Sequence, residues 1–212
     1  MSEDARPDRE RAPVEPLGGG EPVTPREAAT VILLDGGAER LEVLLVQRSP
    51  EAKFMGGVWV FPGGAVDGAE GVGEDRHRRA ARRELREEAG VALPGDVELI
   101  AFSRWVTPAQ VRIRYDTHFF LAELPEGQGV TVDGGECVAH RWIAPADALA
   151  ATAAGKLALV LPTIKHLERL ASYRSVAELL ADGGSFDLSP VEPRVVLDGE
   201  QPTILLPGEA GY

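Results

Sequence analysis

Glu84, Glu87 and Glu88 are the residues of this chain whose types and spacing are best suited to chemistry. On a helix, positions i, i+3 and i+4 project from one face. Three carboxylates gathered there repel one another unless a cation lies among them, and hard oxygen donors suit magnesium or manganese better than zinc or copper. The opposing reading is a solvated charged face on which Arg82, Arg83 and Arg86 pair with the glutamates. The loop upstream weighs against it. Pro62-Gly63-Gly64 follows a short strand-like run and permits close backbone approach, so that Gly64 could offer its carbonyl to a metal.

Other elements must hold these residues in place. A helix is expected over Arg76–Ala89, a stretch free of proline and glycine, dense in Ala, Leu, Arg and Glu, and followed by Gly90 as its stop. Ala81, Leu85 and Ala89 fall on the arc beside the glutamates and can pack on a sheet. Strands are expected at 28–34, 41–46, 58–61, 97–106, 112–122 and 137–143, the first two joined as a hairpin by Asp35-Gly36-Gly37. Helices are expected at 145–153, 162–171 and 175–181. Residues 194–206 read as a hairpin turning around Asp198-Gly199. Interleaved hairpins and helices point to a mixed sheet with helices on its faces, of the α/β (α+β) class.

Residues 1–26, rich in Pro, Gly, Glu and Arg without apolar periodicity, read as a disordered leader. Residues 27–182 then form one domain. The tail, 183–212, is expected to pack on that domain or on a partner subunit. No run approaches the roughly 20 apolar residues of a membrane span, and the N-terminus lacks the apolar core of a signal peptide. A cytoplasmic location is therefore expected. The single cysteine, Cys137, excludes an intrachain disulfide framework and a cysteine-based zinc site. A formal net charge of −12 argues against general nucleic-acid binding, which carries a basic footprint. It leaves room for a phosphorylated small molecule arriving with its cation.

The run Arg83-Glu84-Leu85-Arg86-Glu87-Glu88-Ala89-Gly90-Val91 resembles the second half of the Nudix box, G-x5-E-x7-R-E-U-x-E-E-x-G-U, where U is a bulky aliphatic residue, and matches it at every fixed position. Counting forward from Gly64 puts the first glutamate of the box at Glu70; counting back from Arg83 puts an acid at Asp75. Twelve residues separate Glu70 from Arg83 where the pattern has seven, an insertion of five. The resemblance implies a Nudix-type α/β/α sandwich and a pyrophosphohydrolase using Mg2+ or Mn2+. It further implies that Glu84, Glu87 and Glu88 bind metal, that Glu84 helps deprotonate the attacking water, and that Arg83 steadies the glutamates. Such enzymes often supply a further acid from a later loop, and Glu136 is placed for that role or for an ordinary loop position.

Upstream of the box, Leu44-Leu45-Val46-Gln47-Arg48-Ser49, Lys53, Gly57 and Phe61-Pro62-Gly63-Gly64 resemble the coenzyme A diphosphatase signature L-L-T-x-R-S/A-x3-R-x3-G-x3-F-P-G-G. Val46 replaces a threonine and Lys53 an arginine, which keeps charge but loses bidentate geometry. The run Trp105-Val106-Thr107-Pro108 and the run from Arg114 to Phe120 are similar to the same branch, known from peroxisomes in eukaryotes. This chain ends Ala210-Gly211-Tyr212, unlike a peroxisomal Ser-Lys-Leu address.

The resemblance implies cleavage of coenzyme A or an acyl form, with Arg48 and Lys53 on its phosphates and a homodimer as the assembly. Trp59, Trp105, Tyr115 and Phe119 are candidates to stack an adenine, against the commoner fate of strand aromatics in the core. Asp116 and Thr117 suggest no role, and His118, a lone strand histidine, is more often structural than catalytic. Competing readings are a hydrolase of ADP-ribose, NADH or a related conjugate, and a binding module that senses a nucleotide without cutting it.

Overall fold

A computed structural model of the chain describes residues 23–52, 55–73, 75–198 and 201–212. The expected leader lies almost wholly outside the described residues, as does Lys53. The strands are β1 (Arg26–Asp35), β2 (Glu42–Arg48), β3 (Trp59–Val60), β4 (Gly63–Ala65), β5 (Ile100–Val106), β6 (Tyr115–Glu123), β7 (Cys137–Ile143), β8 (Pro190–Val191), β9 (Arg194–Asp198) and β10 (Gln201–Leu205). The helices are α1 (Arg76–Ala89), α2 (Pro145–Ala153), α3 (Leu161–Leu170) and α4 (Val176–Ala181), with a 3-10 turn at Gly68–Glu70.

β1 through β8 form one mixed sheet in the order β3-β2-β1-β6-β5-β8, with β4 also paired to β1 and β7 to β2. β1 runs parallel to β6 and antiparallel to β2 and β4. Its run of buried side chains from Ala28 to Leu34, apolar except for Thr30, fits a central strand covered on both faces. Alternation divides that run. Ala29, Val31 and Leu33 meet Ala80, Ala81, Leu85 and Ala89 of α1, whereas Ile32 and Leu34 share a second core with Ala148, Leu167, Leu170, Val176 and Leu179 of α2, α3 and α4. The result is an α/β/α sandwich. Among the described residues no helix is long and apolar enough to cross a membrane.

Several boundaries differ from the sequence expectations for identifiable reasons. β5 begins at Ile100 rather than 97 because Arg82 of α1 takes the carbonyls of Leu93, Pro94 and Val97, holding that stretch as a turn. β6 begins at Tyr115 rather than 112. There the buried Arg114 guanidinium bonds the carbonyls of Thr107 and Val23 and the Glu192 carboxylate. Arg26 and Glu27 extend β1 upstream of the expected strand, since both pair with β6. The glycine run expected as loop contributes β4, paired along Ala28–Thr30. A Cβ on Gly63 would collide with Thr30, so only glycine lets this strand lie flush. The tail adds β8 to the sheet edge beside β5, and β9 pairs antiparallel with β10.

Candidate active site

α1 carries the carboxylates because its small residues, Ala80, Ala81 and Ala89, bring it close against β1 and β4. Gly90, with φ near 70°, ends it in the left-handed conformation. Glu88 is almost wholly buried and Glu84 nearly so, whereas Glu87 is exposed. The Gly63 N–H donates to Glu88 Oε2 at 2.9 Å. Gly64 faces Glu84 so closely that a Cβ would strike its carboxylate. Backbone and carboxylate therefore meet with no side chain between them, as a ligand bridging both requires.

Arg83 organises the cluster. Its Nη1 donates to Glu84 Oε1 at 2.7 Å and Glu87 Oε2 at 2.9 Å, its Nε to Glu70 Oε1 at 2.7 Å, and its Nη2 to the Ala65 carbonyl at 2.9 Å. Glu70 is thus the glutamate that meets Arg83, despite the insertion. Asp75 is exposed and lies 3.8 Å from Arg78 instead. The longer loop raises the closure cost by only about 0.5 kcal/mol. Glu70 is aimed by a reciprocal cap: Asp67 N–H donates to its Oε2 at 2.7 Å, and Ala69 N–H donates to Asp67 Oδ1 at 2.6 Å. Burial works against its charge, but the Arg83 and Asp67 bonds prevail and hold its pKa at about 2.

The metal-candidate acids behave differently. Burial pushes Glu88 up to about 7; the Gly63 N–H opposes this, Glu84 adds to it, Arg48 opposes it, and Glu136 adds to it. Burial also raises Glu84, partly offset by Arg83, with Glu87 and Glu136 adding. The charge of Glu136 therefore reaches both, although its side chain is exposed. Asp133, which sequence reasoning passed over, sets its loop: its carboxylate accepts the N–H groups of Gly135, Glu136 and Cys137 at 2.7–2.9 Å. Such local capping by aspartate is written in the D-G-G-E spacing.

Arg48 ends β2 beside Cys137 of β7. Its Nε is buried without a hydrogen-bond partner among the described residues. The Cys137 thiol is buried and pushed up to about 12, chiefly by burial and then by Glu88, so it is an unreactive neighbour. The candidate aromatics fall elsewhere. Trp59, Trp105 and Phe119 belong to the core shared with α2, α3 and α4, with Phe119 and Trp105 against His166 at 4.2 and 5.7 Å between ring centroids. Tyr115 is half-buried at the start of β6.

Asp116 and His118 have structural contacts: Asp116 ties β6 to β5, and His118 steadies the first turn of α1. Asp116 forms a bidentate pair with Arg104 at 2.8 and 2.6 Å. His118 stacks on His77 at 3.9 Å, and Arg76 pairs with Glu27. Thr117 has no such contact that explains it.

Among the described residues no three acids, imidazoles or thiols stand at ligating spacing. Arg83 holds Glu84 and Glu87, and Gly63 holds Glu88. The donor set nonetheless fits a divalent cation of the Mg2+ or Mn2+ kind. It is all oxygen, burial raises the pKa values of its two buried acids beyond what Arg83 and Arg48 offset, and Gly64 puts no side chain between its backbone and Glu84. Gly64, Glu84, Glu87, Glu88 and Glu136 are the residues that would hold it.

A Caenorhabditis elegans protein that carries the name nudix hydrolase 7 is 30% identical over 183 residues, covering 70% of this chain and 61% of the worm protein. The acyl-coenzyme A diphosphatase NUDT19 of Homo sapiens is 30% identical over 159 residues, covering 71% of this chain and 42% of the human protein. The chain therefore spans only about half the length of these relatives. The crystal structure of a NUDIX hydrolase from Alicyclobacillus acidocaldarius superposes with a TM-score of 0.67 at 24% identity, covering 79% of this chain and 99% of that one, which shows the shared fold. A model of the NUDIX domain matches residues 24–164, more than half of the chain, enclosing the whole carboxylate helix and its glycine strand: the protein belongs to the Nudix family.

Proposed function

We propose that this chain hydrolyses the pyrophosphate bond of a nucleoside diphosphate conjugate in the presence of Mg2+ or Mn2+, with coenzyme A or acyl-coenzyme A as substrate. The products would be 3′,5′-ADP and 4′-phosphopantetheine or its acyl form. The observation that carries the reading is the buried pair of Glu84 against the Gly64 backbone and Glu88 on the Gly63 N–H, with Arg83 tying Glu84 and Glu87 together. A bound divalent cation would neutralise the pyrophosphate oxygens and acidify a water.

The chain's own residues do the rest. Glu84, its basicity raised by burial, accepts the proton of the attacking water. Water oxygen bonds to one phosphorus as the bridging P–O bond breaks, and the bridging oxygen leaves with the other phosphate. Arg83 keeps Glu84 and Glu87 from splaying apart before and after that transfer. Arg48, whose Nε has no hydrogen-bond partner among the described residues and whose charge reaches Glu88, donates to a substrate phosphate. Lys53, five residues later in the sequence, would be the second cation of that reading.

The choice of coenzyme A is supported by the run from Leu44 to Gly64 and by the human relative's name. A cytoplasmic setting, in which the one thiol stays reduced, belongs to the same reading, as does a homodimer; cell fractionation and light scattering test these two. Trp59 and Trp105, buried in the core on the other face of the sheet, leave the half-buried Tyr115 as the candidate to stack the substrate's adenine.

The deciding experiment incubates the purified protein with coenzyme A, ADP-ribose and NADH, each with Mg2+, Mn2+ or EDTA, and identifies products by mass spectrometry. Fastest metal-dependent release of 3′,5′-ADP supports the whole reading. Faster cleavage of ADP-ribose or NADH keeps the carboxylate site and rejects coenzyme A. Nucleotide binding without turnover of any of the three would make the chain a sensing module.

A further inference from the structure

The five residues inserted into the Nudix box pose a mechanical problem. Twelve residues must leave Glu70 and return to Arg83 without dragging the Glu70 carboxylate off its partner. The loop has little of its own to hold it. Gly71 and Gly73 sit at φ values of 70° and 93°, and the side chain between them, Val72, is 88% exposed and buries nothing. Backbone bonds from Gly71 to Gly68 and from Arg76 to Gly73 are both long, at 3.3 Å.

What grips the loop from outside is Arg79 of α1. Its Nε donates to the Glu70 carbonyl at 2.7 Å and its Nη2 to the Val72 carbonyl at 3.3 Å. Arg79 lies one helical turn before Arg83, so the two guanidinium groups share a face of α1. They hold the same residue by opposite ends: Arg83 takes the Glu70 carboxylate and Arg79 its carbonyl.

We propose that Arg79 is a positioning residue of the pyrophosphatase site, clamping the inserted loop so that Glu70 stays on Arg83 and Arg83 stays on Glu84 and Glu87. This rests on the proposed hydrolytic reading. Arg79 touches neither substrate nor cation in this scheme. Loosening it lets Glu70 drift, removes one of the four partners of Arg83, and frees Glu84 and Glu87 to move. Cation affinity and kcat then fall together, while KM stays put, since phosphate contacts belong to the other end of the site.

The test compares Arg79→Ala, Arg79→Lys, Glu70→Gln and the double variant Arg79→Ala/Glu70→Gln. Its readouts are Mn2+ affinity by electron paramagnetic resonance without substrate, amide hydrogen exchange over residues 63–75 in the metal-free protein, and kcat and KM. Arg79→Ala should weaken Mn2+ binding and lower kcat by about tenfold each, leave KM within about twofold, and speed exchange in the loop. Arg79→Lys should recover part of each loss, because an ammonium can reach one carbonyl. The double variant should be no worse than Glu70→Gln alone, the non-additivity of residues acting through one another. Wild-type Mn2+ affinity and loop exchange in Arg79→Ala would overturn the proposal, as would losses that multiply in the double variant. No turnover by the wild-type chain would instead defeat the hydrolytic reading, and hydrogen exchange would still decide whether Arg79 holds Glu70 in place.

Discussion

Each face of the sheet buries a pair of side chains of a kind that can do chemistry, and the two pairs have opposite fates. On the α1 face, Glu84 and Glu88 are buried against the Gly63-Gly64 backbone, and they border the exposed carboxylates of Glu87 and Glu136, whose charges add to the burial that raises them. On the other face, Ser103 of β5 meets His166 of α3, Oγ to Nε2 at 2.6 Å, a spacing that a nucleophile and its base would use. His166 is nevertheless 2% exposed and ringed by Phe61, Phe102, Trp105 and Phe119. Burial, and after it the charge of Arg169, drives its pKa down to about 3. A base that cannot take a proton and that no substrate can reach is a structural hydrogen bond inside a core. Perturbed pKa values mark both places, but unmet charge and access separate a site from a core.

The sharpest way to break that comparison is mutation on each side. Glu88→Gln keeps the shape and the Gly63 contact but removes the charge; kcat should fall by about a thousandfold or more with the fold intact. Near-normal kcat in Glu88→Gln would move the chemistry away from α1. His166→Ala should do the reverse. It empties an aromatic cage and strands Ser103, so unfolding free energy should drop by roughly 3 kcal/mol while kcat at low temperature stays within about twofold. A large loss of kcat in a still-folded His166 variant would mean that the second face takes part in catalysis.

A smaller effect sharpens the boundary of the site. Arg48→Ala and Lys53→Ala should each raise KM for coenzyme A by about tenfold while lowering kcat less, if those cations hold ground state and transition state alike. Steady-state kinetics on coenzyme A and ADP-ribose would read this, and an unchanged KM in both variants would detach the upstream run from phosphate recognition.

What could be read from the residues alone follows from how local the cause is. α1 has the expected bounds because alanine-rich composition and the Gly90 stop act within the segment itself. β7 and α2 likewise match their expected ranges. The glutamate cluster was legible because helical spacing is a local rule. Failures came where a distant side chain decides. Arg82 and Arg114 take carbonyls that a strand ladder would otherwise use and so move the starts of β5 and β6. β4 exists because two glycines can lie against β1, a pairing made some thirty residues away in sequence. The stacking of His77 on His118 and the grip of Arg79 on the loop are likewise contacts between segments that no periodicity announces. Trp59 and Trp105 show the converse: aromatic type on a strand suggested stacking, and the layer each strand faces puts them in the core.

The least conspicuous difference between the two faces is in how stability responds to acid. The folded His166 has a pKa of about 3 against an ordinary 6.5, so as pH falls below about 6.5 the unfolded chain takes the proton first and the fold loses stability until about pH 3. His118, held at about 4 by burial and then by its stack on His77, acts in the same direction over a narrower window. Glu88 runs the other way. Its folded pKa of about 7 exceeds the ordinary 4.5, so between these values the folded chain takes the proton first and stability rises as pH falls. One full proton of difference amounts to about 1.4 kcal/mol per pH unit, and between pH 6.5 and 4.5 Glu88 opposes both His166 on the far face and His118 on its own face. In EDTA, Glu88→Gln should therefore have its largest stability advantage over the wild-type chain above pH 7, with the gap shrinking to a constant by about pH 4.5. His166→Phe should instead flatten the acid loss below pH 6.5. Urea titrations at pH 7.5, 6 and 5 would read both slopes. Parallel curves for Glu88→Gln and the wild type would show that Glu88 carries no uncompensated charge in the folded state. The contrast between a pair beside exposed carboxylates on α1 and a sealed, neutral one on α3 would then have no energetic basis.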